Sequence, residues 1–146
     1  VITLCLMSNP EYEREKNKLV LVRPSDRYLD DDFVFLDHNA YVRQYIQLAH
    51  DVQMNNLDGT VIGAPSKNNN LTQDEIRRAR RYLREKATLI PGIGKQGGET
   101  DVIFKYFIPE KCIANVGRAL MFPDGGDQIA AAKHYQKMLN ELRQAA

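Results

Sequence analysis

No tryptophan occurs among the 146 residues, and only two cysteines do. Cys5 and Cys112 both stand in apolar runs rather than in the spacing of a metal site or a disulfide framework. They are therefore expected as buried, reduced thiols of a cytoplasmic protein. Charge of one sign is lacking too, since twenty Lys+Arg face nineteen Asp+Glu for a formal balance of +1. That balance gives no bulk attraction toward nucleic acid or a membrane surface, so any anion recognition must be local. No apolar run approaches the ~18 residues of a membrane span. The first residues carry no basic region followed by an apolar core and a cleavage site. No Pro-rich or Gly/Ser-rich linker divides the chain, so 1–146 is read as one domain unit, 43% hydrophobic and 27% charged.

What is present alternates between strand and helix. Val1–Met7 is an apolar, partly β-branched run ended by Ser8-Asn9-Pro10, the pattern of a parallel strand buried on both faces. Residues 11–40 fit that pattern poorly and read as an insertion. Within it, Leu19–Val22 and Phe33–Leu36 are predicted to form a surface hairpin, and Asp30-Asp31-Asp32 a solvated acidic turn. Val42, Tyr45, Ile46, Leu48, Ala49 and Val52 follow helical spacing across about 39–56. Further strands are predicted near 60–63, 88–90 and 112–116. Thr72 and Glu75 make a capping box for a helix with Ile76, Ala79 and Leu83 on one face, and Tyr135, Met138, Leu139 and Leu142 mark a last helix over about 127–144. Core strands every ~25–30 residues with helices between them mean βαβ units and a parallel sheet. A full (β/α)8 barrel usually needs ~250 residues. Four such units make either a small open sheet or about half of such a barrel, and the length favours the half-barrel, completed by further sequence or a partner chain.

Chemistry concentrates after the third and fourth core strands. Pro91–Gly98 holds four glycines in seven residues, which lets backbone N–H groups converge on an anion. The next strand ends in Gly117-Arg118, where the guanidinium offers a planar fork for phosphate oxygens. Barrel enzymes often hold phosphate with the loops after strands seven and eight, so both signals fall where one ligand could use both. His38, His50 and His134 are dispersed without a serine, cysteine or metal-ligand grouping, and are expected as surface or helix-face residues.

The run Leu89-Ile90-Pro91-Gly92-Ile93-Gly94-Lys95-Gln96-Gly97-Gly98, followed by Asn115-Val116-Gly117-Arg118-Ala119, resembles the seventh and eighth strand ends of orotidine 5'-phosphate decarboxylases. Ser8-Asn9-Pro10 is similar to that family's fifth strand end, and Gly63-Ala64-Pro65-Ser66 to its sixth. The resemblance covers about 57–144 and 1–10, is absent over 11–40, and implies the C-terminal half, about strands five to eight, of a (β/α)8 TIM barrel. It implies that Gln96 and Arg118 grip the 5'-phosphate of orotidine 5'-phosphate, or of the product uridine 5'-phosphate, with backbone amides around Gly97, Gly98 and Gly117. Ser8 would hydrogen-bond the pyrimidine and meet Gln96 as a bridge, while Lys95 is expected as a solvated loop lysine. The implied enzyme is a decarboxylase of pyrimidine biosynthesis that uses no metal or organic cofactor and works as a homodimer of complete barrels.

The family's Asp/Lys network includes a D-x-K-x-x-D motif, and no such motif occurs in this sequence. No catalytic residue is therefore assigned, and the chain alone is expected to be inactive. Two other readings use the same residues. One is another sugar-phosphate barrel enzyme, of the pentulose-phosphate epimerase or hexulose-phosphate synthase type. The other is a non-catalytic module that binds a phosphate ligand.

Overall fold

Strand and helix segments alternate, and the computed structural model, which describes residues 1–145, turns that alternation into layers. In chain order the elements are β1 (Ile2–Leu6), α1 (Tyr12–Lys16), β2 (Leu19–Val22), β3 (Val34–Leu36), β4 (Asn39–Arg43) and α2 (Gln44–Met54). They continue as β5 (Gly59–Ile62), α3 (Gln73–Leu83), β6 (Ala87–Ile90), α4 (Thr100–Tyr106), β7 (Cys112–Ala114), α5 (Arg118–Met121) and α6 (Gln128–Ala145). β1, β5, β6 and β7 form one parallel sheet in that order, the arrangement that the recurring strand and helix spacing predicts. Because the strands are parallel, Ser8, Gly63, Pro91 and Asn115 all emerge at one end of the sheet.

Register sorts the side chains between the two faces. Leu4, Val61, Leu89 and Ile113 align in one row, and Thr3, Thr60, Thr88 and Cys112 in the next. The threonine face is the helix-covered one: Thr60 and Thr88 are fully buried, and the Thr60 hydroxyl donates to the Thr3 carbonyl at 3.0 Å. Cys5, Ile62 and Ile90 belong to the core with Tyr45, Ile46 and Ala49 of α2, Ile76, Ala79 and Leu83 of α3, and Ile103 of α4. Burying each such Ile or Leu contributes ~1.5–3 kcal/mol. The other face is covered only in its middle. Val61 is 9% exposed, whereas Leu4 and Ile113, on the two edge strands, are each 52% exposed. β1 was expected to be buried on both faces, and here one of its faces is open.

Residues 11–40 differ from expectation in detail. β2 and β3 do not pair with each other but flank β4, in an antiparallel sheet of order β2-β4-β3. The helix expected from about 39 starts only at Gln44, because Asn39–Arg43 alternates exposed and buried residues with the period of a strand. The tight hairpin joins β3 to β4 through Asp37 and His38, both at positive φ (47° and 65°), as a two-residue type I′ turn requires. The acidic turn is not uniformly solvated. Asp32 is 2% exposed and is held by Arg78, Arg81 and the Tyr82 hydroxyl of α3. His50 is buried, stacked on Tyr28 with ring centroids 4.2 Å apart, while Cys112 is only partly buried.

Candidate functional site

Backbone hydrogen bonds tie the four strand ends together. Gly63 N–H donates to the Leu6 carbonyl (2.6 Å), Ala64 to Pro91 (2.9 Å), Glu99 to Pro65 (2.7 Å) and Asn115 to Ile90 (2.9 Å). The buried Asn69 fixes the loop after β5: its amide donates to the Ala64 carbonyl, and its Oδ1 accepts from the N–H groups of Ser66 and Leu71. Close approach dictates glycine at two points. A Cβ on Gly98 would lie 2.5 Å from the Ala64 Cβ and 2.6 Å from the Gly92 carbonyl oxygen. Gly92 has φ +95°, and a Cβ there would meet the Ser8 Cβ at 3.0 Å and Gln96 Oε1 at 3.1 Å. Backbone and side chains thus converge on one spot.

At that spot the Ser8 hydroxyl donates to Gln96 Oε1 at 3.1 Å, across 88 residues of sequence. Both line a cleft of about 210 Å³ together with Pro91, Gly92, Ile93, Lys95, Asn115, Gly117, Arg118 and Ala119. That volume lies below the ~300–1,000 Å³ of a whole small-molecule site, so it suits one part of a ligand. Its walls carry two cations, Lys95 and Arg118, and no carboxylate. The amides of Gly117, Arg118 and Ala119 are donated to no acceptor among the described residues. Two cationic side chains and no carboxylate give the cleft a local positive character in a chain with almost no net charge.

Four of the six residues singled out from sequence therefore meet: Ser8, Gln96, Gly117 and Arg118. Gly97 and Gly98 do not join them. Their N–H groups are donated inside the loop, to the carbonyls of Gly94 (2.7 Å) and Gly92 (3.1 Å), and both residues line a separate groove with His134 and Tyr135 of α6. In this structure those two amides make the hydrogen bonds that close the short loop. Lys95 is an exposed loop lysine, as expected, and it also lines the cleft. Asn115 was missed; its signal was a polar residue directly at a strand end. No acid/base pair lines the cleft, and burial pushes the Cys112 thiol up to about 11, so it is no thiolate near neutrality. The arrangement can bind and orient an anion.

No protein-family model and no curated protein matches this chain. Solved structures do. The UMP synthase of Leishmania donovani superposes with a TM-score of 0.65 at 24% identity, covering 96% of this chain and 27% of that one. The OMP decarboxylase of the same organism gives 0.63 at 21% identity, over 98% and 47%. A Toxoplasma gondii protein assigned as an orotidine-monophosphate decarboxylase gives 0.67 at 18% identity, over 99% and 50%.

The chain has the fold of part of an OMP decarboxylase barrel. It spans half or less of the length of each of these structures. β1, β5, β6 and β7 are accordingly four consecutive strands of the parallel (β/α)8 sheet, and the cleft sits at the carboxyl ends of those strands, where barrel enzymes place their sites.

Proposed function

We propose that this chain supplies the phosphate- and base-binding part of an orotidine 5'-monophosphate decarboxylase site. The observation that carries the reading is the Ser8–Gln96 hydrogen bond inside a cleft that Gly117 and Arg118 also line. Arg118 and the free amides beside it take the phosphate, Gln96 stands between phosphate and base, and Ser8 faces the pyrimidine. The reaction replaces the orotate carboxylate by a proton. The residues here act remotely from that exchange, holding the ligand so that binding energy is used at the base. The groups that move the proton belong to the rest of the barrel, and a homodimer of complete barrels in the cytoplasm belongs to the same proposal. So does the reading of residues 11–40 as an insertion.

Arg118→Ala in the full natural chain tests the phosphate assignment. KM for orotidine 5'-monophosphate should rise by the equivalent of ~1.5–3 kcal/mol, the worth of hydrogen bonds to a charged group. The variant should keep its circular-dichroism spectrum, because Arg118 is exposed and takes no part in the core. Unchanged kinetics would show that the guanidinium serves another purpose.

A further inference from the structure

The ammonium of Lys95 lies 3.2 Å from the Asp124 carboxylate, and the same lysine lines the cleft that Gln96 and Arg118 share. The Asp124 side chain is 98% exposed against 39% for Lys95, so little else fixes the acid in place. Asp124 sits between α5 and α6, just before Gly125 and Gly126, which have φ of +87° and +77°. A water-exposed pair of this kind contributes ~0–1 kcal/mol and is easily given up. A phosphate monoester lodged beside Arg118 offers the lysine more charge than a single carboxylate, in a less exposed setting. Anion and Asp124 are therefore alternative partners for one ammonium.

We propose that Lys95 is a second cationic ligand of the phosphate group, held on Asp124 and handed to the dianion when it binds. This rests on the reading of the cleft as a phosphate site and adds to it a specificity residue, with Asp124 as its competitor. The handover predicts a pattern of epistasis that simple charge near a site would not produce. Removing Asp124 should help binding only while Lys95 is present.

Isothermal titration of the full natural chain with uridine 5'-monophosphate, and separately with inorganic phosphate, tests this. Lys95→Met should weaken both by about tenfold, the scale of a hydrogen bond to a charged group. Lys95→Arg should retain most of the affinity. Asp124→Asn should tighten both by about two- to threefold, the worth of an exposed pair. The double variant should match Lys95→Met alone. Arg118→Ala is the reference. If it weakens binding while Lys95→Met does not, the handover is wrong and the site reading stands. If neither variant weakens binding, the site reading itself fails. Tightening by Asp124→Asn in the Lys95→Met background, or a Lys95→Met loss seen with the nucleotide but not with inorganic phosphate, would also overturn the handover.

Discussion

Ser8 and Gln96 are the smallest unit on which the functional reading turns. Their hydrogen bond joins the end of β1 to the loop after β6, so each side chain fixes the other's orientation before any ligand arrives. Groups in one network couple by ~0.5–3 kcal/mol. In the full natural chain, Ser8→Ala and Gln96→Ala should therefore be non-additive in kcat/KM, and strictly additive losses would remove the coupling. Gly92 offers a backbone test of the same contact. A methyl group there would crowd both Ser8 and Gln96 at a φ of +95°, whereas one on Gly97, at φ +66°, meets nothing within 4 Å. Both replacements are strained, but only Gly92→Ala disturbs the pair. Titration with uridine 5'-monophosphate should show the larger affinity loss for Gly92→Ala, and equal losses would mean that loop strain alone matters.

At the scale of elements, α3 organises more of the molecule than its capping box announces. Its N-terminus is closed by Thr72 and Glu75, and Glu75 also meets the buried ammonium of Lys16 from α1 at 2.9 Å. One turn further on, Arg78, Arg81 and Tyr82 hold the buried Asp32, so α3 anchors residues 11–40 at two places. Truncating one member of a buried charged network costs ~3–5 kcal/mol, and Asp32→Ala should lower stability in urea by that order. A variant as stable as the parent would show the cluster to be dispensable. The neighbouring Asp31 is exposed, and its hydrogen bond from Arg81 holds its carboxyl below the usual value of 3.8. A depressed folded-state value means stability that is present above the unfolded pKa and lost as pH falls through the folded one. Asp31→Asn should thus be more costly at pH 7 than in strong acid, and thermal melts at the two pH values would check the sign. Little of this was legible in the sequence. A run of three aspartates gives no sign that one faces arginines 46 and 49 residues away. The β4–α2 boundary was hidden because Val42, Tyr45, Ile46 and Ala49 keep helical spacing even though the first of them is in a strand. The Gly-rich loop was legible, because Gly92 and Gly98 each have a backbone reason to be glycine. Gly117, at φ −82° and with room for a Cβ, has none. The loop's internal hydrogen bonds, which occupy Gly97 and Gly98, were not legible.

For the molecule as a whole, the proposed function divides binding from chemistry. The cleft supplies two cations, free amides and the Ser8–Gln96 pair, but no acid and base placed to exchange a carboxylate for a proton. Positioning alone accelerates a reaction only when the reacting groups are present to be positioned. The open sheet face points the same way: Ile2, Leu4 and Ile113 are each about half exposed on the two edge strands, and parallel edges are ordinarily paired and covered. Residues 1–146 by themselves should therefore bind a hydrophobic dye such as ANS and release no carbon dioxide from orotidine 5'-monophosphate. The full natural chain should do the reverse, turning the substrate over while binding little dye. Steady turnover by the isolated 146 residues would mean that they hold a complete set of reacting groups, and the division between binding and chemistry argued for this cleft would fail.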